Sequence, residues 1–246
     1  MRESWEFTSD GSLRNGGIEA VLARPMGLQR TLQAIDILKI CTTNCSFTDR
    51  CGIHVHVDAR RWDQRQRMKF VHLYILLERV LFIWEGNKRE DNNFCVPLYK
   101  NKHSLFYIGT RGHRSLASCT SKYSALNLKS LNEHGSIEIR SMQTTGDFEK
   151  LKLWVRIFSQ MARCVTRETI NVVTLLEASS DGVPYGVIQD VLGRTLFNEI
   201  SDSLPAGGII SDCLLKGARD LQYVLSLSGV EQQRPSVDDI ISVTVY

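Results

Sequence analysis

The stretch GIHVHVD, residues 52–58, decides how the rest of this chain is read. In a β-strand successive side chains point to opposite faces. Ile53, Val55 and Val57 then share one face, and His54, His56 and Asp58 share the other. The aliphatic face requires a core to cover it. The opposite face carries two imidazoles and a carboxylate, which is dense chemistry for a solvated surface. Two further segments repeat the pattern. As a strand, GSIEIR (135–140) places Ser136, Glu138 and Arg140 together, with Ile137 and Ile139 behind them. GGIEAV (16–21) sets Glu19 opposite Ile18 and Ala20. Three such strands predict an α+β chain in which they share one antiparallel or mixed sheet. Helices would cover its apolar face, and the other face would form a polar floor.

The segments around these strands supply the helices. Leu28, Leu32, Ile35 and Leu38 recur at helical spacing from Gly27 to about Lys39. Residues 64–84 read as a largely buried helix through Met68, Val71, Ile75 and Phe82. Residues 147–165 read as another, through Phe148, Leu151, Trp154, Val155, Phe158 and Met161. SDGS marks a turn, TTNCSFTDR a loop, and EGNKREDNN the break after the long helix. Residues 86–118 read as loop-rich, and SKYSALNL as strand-like. Residues 1–165 therefore form the core unit. Residues 166–246 form a helical C-terminal part of two or three helices, broken at DGVPYG and LPAGG.

Composition narrows the classes. The 246 residues are 43% hydrophobic and 23% charged, which is ordinary globular usage. A net charge of +3 gives no support for nucleic-acid binding. The basic run Arg60, Arg61, Arg65, Arg67 and Lys69 reads as a solvated helix start. No apolar run reaches transmembrane length, and MRESWEFTSDGSL lacks the apolar segment of a secretory signal, so neither membrane insertion nor export is expected. The seven cysteines are scattered and contain no C-x-x-C pair, as expected of reduced thiols in the cytoplasm. Cys41, Cys45 and Cys51 are the nearest to a cluster, with spacing atypical of zinc.

A floor of carboxylates, imidazoles and a guanidinium suits phosphoryl chemistry assisted by Mg²⁺ or Mn²⁺. Hard cations take oxygen ligands and accept some nitrogen, and arginine grips phosphate or carboxylate through a fork of donors. Each feature also has a plain reading. Glu138 and Arg140 make an internal salt bridge, Glu19 is a solvated strand residue, and Asp58 orients an imidazole or ends its strand.

CGIHVHVD, NNFCVPL, KYSALNLKSLNEHGSIEIR and TGDFEKLKLWVRI occur in an order and spacing that resembles the amidoligase family, over roughly residues 5–165. DGSL followed by GIEAVLARP resembles a further segment of it. These are carboxylate–amine ligases related to glutamine synthetase and glutamate–cysteine ligase. The resemblance implies a glutamine-synthetase-like fold: a curved, mainly antiparallel sheet with helices on one face. It implies activation of a carboxylate by ATP and Mg²⁺ as an acyl phosphate, which an amine attacks to form an amide. Carried over by position, Glu19, His54 and Glu138 are metal ligands. His54 and His56 line the nucleotide and metal site, and Arg140 neutralises the transferring phosphoryl group. Asn127 and Lys122 contact phosphate or substrate. Partners are then a carboxylate and an amine, borne on a small metabolite, a peptide or a protein.

The chain departs from the family in two places. Members open with a Glu-x-Glu strand ahead of the Asp-Gly-Ser turn. Here nine residues precede Asp10, and Glu3 and Glu6 have the wrong spacing. GIEAVLARPM also lacks the serine-proline stretch after its glutamate. Either the chain starts late or metal binding is weakened, an expectation that touches activity more than fold. Two alternatives stand beside the ligase. One is a non-catalytic relative acting as a binding or structural protein. The other is a metal-dependent hydrolase, for which HVHVD begins a His-x-His-x-Asp-His signature that fails at Ala59.

Overall fold

The computed structural model describes residues 4–9, 17–43, 45, 51–86, 89–180 and 184–231. The turn residues 10–12, most of TTNCSFTDR, Glu3 and residues 181–183 of DGVPYG lie outside the described residues. Among the described residues the fold is mixed α+β, 61% helical, with two small antiparallel sheets.

The long helix α2 (Gln64–Glu85) organises the core. Its start is written into WDQRQ. Asp63 accepts from the Gln66 amide at 2.7 Å, and the Gln66 side chain accepts from the Asp63 amide at 3.1 Å. This reciprocal box satisfies two donors that a helix start leaves over. Gly86 ends the helix with φ 102°, a left-handed position that glycine occupies without strain. Phe70, Leu73, Tyr74 and Leu76 are fully buried along it. α5 (Phe148–Thr166), capped by Asp147, packs beside α2 and lays Trp154 flat on Trp84 with ring centroids 5.7 Å apart. α1 (Leu28–Cys41) lies along α5.

The strands do not form the single sheet expected. β1 (Trp5–Ser9) pairs antiparallel with β2 (Ile18–Leu22) as one sheet. β3 (Gly52–Asp58), β5 (Ser136–Gln143) and β4 (Leu126–Asn127) form the other, in the order β3-β5-β4. Segment 5–9 is thus a strand where only turn and β2 were expected. The β1–β2 hairpin is tied to the body where the Trp5 indole donates to the Ala34 carbonyl at 2.7 Å. Phe7, Ile18 and Val21 are exposed, so burial does not draw this hairpin into the main sheet.

Residues 102–115, expected to be loop, form helix α3 (Lys102–Ser115). Its buried face, Leu105, Ile108, Gly109 and Gly112, has helical spacing, but two members are glycines. They are small because other elements press on them. A Cβ on Gly109 would stand 2.8 Å from the Val224 carbonyl, and one on Gly112 would stand 2.9 Å from the Met68 sulfur.

Among the described residues the C-terminal part holds four helices rather than two or three: α6 (Val172–Ser180), α7 (Pro184–Leu192), α8 (Arg194–Ser201) and α9 (Gly207–Glu231). α9 packs on α2 and α3, and its Gly217 meets the α2 backbone at Leu76. One core runs from Ile35 through α2 and α5 to Leu221 and Val224. Among the described residues no helix is long and apolar enough to cross a membrane. All seven cysteines are free thiols.

Candidate functional site

In the three-stranded sheet the two-residue alternation sorts side chains as the sequence suggested. Ile137 and Ile139 are fully buried on the side of α2 and α5, with Val57 beside them. The other side carries the polar row. β5 is central, so Glu138 stands opposite His56 of β3 and opposite Asn127 of β4. Ile53 pairs with Met142 and Val55 with Ile139, so Arg140 and Ser141 together face His54. A bulge of this kind re-aims a side chain at a sheet edge.

Glu138 is the hub, only 6% exposed. Its Oε1 accepts from Arg140 Nη1 at 2.8 Å and lies 3.2 Å from His54 Nδ1. Its Oε2 accepts from Asn127 Nδ2 at 2.6 Å. Asn127 Oδ1 accepts the Lys129 amide at 3.0 Å, which fixes which end of the side-chain amide faces Glu138. His56 is more exposed. Its Nδ1 lies 2.9 Å from Ser136 Oγ, which is 3.0 Å from Ser130 Oγ, and His134 meets its ring edge-on.

The close approach of His54 to a carboxylate is not an ion pair at neutral pH. Burial, then the nearby Arg140 and Arg89 charges, pull His54 down to about 4 against the opposing pull of Glu138. Arg140 already compensates that carboxylate, so the imidazole stays neutral, and the tautomer protonated at Nδ1 is the one that suits a carboxylate oxygen 3.2 Å away. Its Nε2 is left as an acceptor. Burial chiefly also holds His56 below the usual histidine value.

Arg89 is the residue the sequence reading missed. It lies past the end of α2 in the segment read only as a break, yet it is 2% exposed. Nη1 donates to the Cys51 carbonyl at 2.8 Å, and the guanidinium charge acts on the Cys95 thiol. Burial first raises that thiol to about 12, so Cys95 is no nucleophile at neutral pH. The signal in the sequence is Gly52. A Cβ there would collide with Arg89 Nη1 and stand 2.7 Å from Cζ. Glycine inside a strand marks a close approach, and here the guanidinium fills the missing side chain's place in the row of His54 and His56. Among the described residues, neither Arg89 Nε nor Arg140 Nε meets an acceptor, although both are buried.

Of the residues expected at the site, His54, His56, Asn127, Glu138 and Arg140 come together. Glu19 does not join their sheet: it is exposed on β2, paired in register with Thr8. Lys122 is exposed in the loop before β4, with its ammonium over the Tyr123 ring. Asp58 turns away to Arg60, whose Nε and Nη2 reach it at 2.9 and 2.8 Å.

Comparison of the chain with protein-family models, curated proteins and solved structures gives no match.

The donor set limits what this face can hold. Among the described residues no three His, Cys, Asp or Glu side chains converge on a cation position. Glu138 and His54 are in contact here, and Arg140 sits on the carboxylate. That is too little for a free Mg²⁺ ion. It fits an ion that arrives on phosphates, because Mg²⁺ is commonly held by one or two carboxylates plus substrate phosphate oxygens.

Proposed function

We propose that this face is the site of an ATP-dependent carboxylate–amine ligase. One observation carries the reading: a guanidinium, a buried carboxylate and two neutral imidazoles share one side of a sheet whose other side is core. In the proposed reaction a substrate carboxylate oxygen attacks the γ-phosphorus of ATP. The bond to the bridging oxygen breaks, giving an acyl phosphate and ADP. The amine nitrogen then attacks the acyl carbon, phosphate leaves, and the nitrogen gives up a proton.

Arg140 would take up charge on the phosphoryl oxygens, which is the main service a protein gives such a transfer. Glu138 holds Arg140 and His54 in place. With Asn127 and Arg140 on it, its carboxylate lies close to where a nucleotide-borne Mg²⁺ would sit. That ion would neutralise phosphate charge. His56 suits the amine's proton better than His54, which at about 4 is a weak base near neutrality. In the tautomer that donates Nδ1–H to Ser136, its Nε2 is the acceptor.

Hydroxylamine tests the reading, since it captures acyl phosphates as hydroxamates. A carboxylate panel with ATP, Mg²⁺ and hydroxylamine should give hydroxamate and ADP in equal amounts. Arg140→Met should lower the yield at least about a hundredfold, as expected for losing a transition-state charge donor. ADP without hydroxamate, or equal yield from Arg140→Met, would exclude it. A second reading, a non-catalytic binding protein, is favoured by the engagement of both Glu138 oxygens within the protein. It expects ligand binding with no ADP formed.

A further inference from the structure

Two buried guanidinium N–H donors lack acceptors, and both belong to arginines that flank His54. Buried polar groups in native proteins are nearly always paired, so each orphan asks for a partner. The charges are also unequal. Glu138 compensates Arg140 at 2.8 Å, whereas among the described residues no carboxylate forms an ion pair with Arg89. Its acceptor among the described residues is the Cys51 carbonyl. The guanidinium stands in the row of His54 and His56, in the slot that Gly52 leaves, about 7 Å along the strand from the His54 position.

We propose that Arg89, seated through Gly52, and Arg140 form a two-guanidinium site for an oxyanion beside His54. The ligand class is a phosphoryl group or a carboxylate, both of which match the arginine fork. The proposal rests on reading this face as the ligase site, and it adds Arg89 as a second anion anchor beside Arg140. Gly52 is then a functional glycine: it admits a charge from another segment where no side chain of β3 can stand.

The test uses inorganic phosphate and acetate as separate probes, titrated by calorimetry into wild type, Gly52→Ala and Arg89→Lys. Gly52→Ala keeps every charge but pushes the guanidinium aside, since that group is the tip of a flexible side chain. Arg89→Lys keeps the charge but loses the fork. Each should weaken the anion that binds by roughly tenfold to a hundredfold, the value of one or two charge-assisted hydrogen bonds. The double variant should be no worse than either single one, because both remove the same contact. The phosphate and acetate arms tell a phosphoryl subsite from a carboxylate subsite. A clamp that merely held the Cys51 carbonyl would lower the melting temperature and leave anion affinity untouched. Unchanged affinity in folded Gly52→Ala, or no anion binding by folded wild type, overturns the proposal. If Arg89→Lys does not fold, Gly52→Ala decides alone. Hydroxamate formation separates the two ideas. Its absence with anion binding lost in the variants removes the ligase reading only, and its presence with affinity unchanged removes the Arg89 site only.

Discussion

Replacing Glu138 by glutamine should unsettle the protein well beyond a surface change, because three donors converge on this carboxylate. Arg140 and His54 approach Oε1 at 2.8 and 3.2 Å, and Asn127 donates to Oε2 at 2.6 Å. Glutamine has nearly the same shape but offers one acceptor atom in place of two. At least one donor must then face an NH₂ group, and Arg140 loses its counter-charge. Hydrogen bonds to charged groups contribute about 1.5–3 kcal/mol, and breaking a buried pair costs about 3–5 kcal/mol. The Arg140 side chain keeps 17% of its exposure, so some water screens it. The expected loss is about 2–4 kcal/mol in urea unfolding. Arg140→Met removes the stranded charge, so the double variant should recover part of the loss, with a coupling of at least about 1.5 kcal/mol. Anion affinity should rise in Glu138→Gln, since the face becomes more positive. A Glu138→Gln protein within about 0.5 kcal/mol of wild type, the range of surface substitutions, would refute the hub. So would strict additivity in the cycle.

Gly217→Ala should destabilise the protein by about 1–3 kcal/mol, since its methyl would press on the α2 backbone at Leu76, which cannot give way like a side-chain tip. Thermal or urea unfolding measures it, and a neutral result would mean that α9 does not sit this closely on α2. Two buried groups should also make stability depend on pH, with opposite signs. Burial pulls His72 from 6.5 to about 4, so its contribution is full above pH 6.5 and is lost as the pH falls through 4, an upper bound of about 3 kcal/mol. Glu78 acts with the opposite sign. Burial raises it from 4.5 to about 7, so its penalty is absent below 4.5 and complete above 7. Unfolding titrations of His72→Gln and Glu78→Gln between pH 4 and 8 should each remove one limb. Unchanged pH profiles would contradict both assignments.

The main sheet and its polar face were legible because the two-residue period in GIHVHVD and GSIEIR is unambiguous. Ile137 and Ile139 need burial, which fixes where Glu138 and Arg140 point. The long helix was legible for the same reason at a different period. Helix α3 was not, because Gly109 and Gly112 read as breakers in a sequence but act as contact surface in a packed helix. The single three-strand floor failed at Glu19. An alternating strand shows that it has two faces, not which sheet it joins, and the register of β2 with Trp5–Ser9 settled that. Arg89 was hidden because its neighbours in sequence are turn formers and the carbonyl it holds is 38 residues away at Cys51. Gly52 was the visible trace of it.

On the proposed reading this sheet face binds nucleotide phosphates. The most direct measurement is calorimetric titration of ATP into wild type with and without Mg²⁺, beside the double variant His54→Ala, His56→Ala. Mg²⁺ alone should bind negligibly, ATP with Mg²⁺ should bind at micromolar to sub-millimolar concentration, and the double variant should lose at least about tenfold in affinity, the scale of one charged or hydrogen-bonded contact. A folded wild-type protein that takes up no heat at millimolar ATP, or a variant that binds as tightly as wild type, would contradict it.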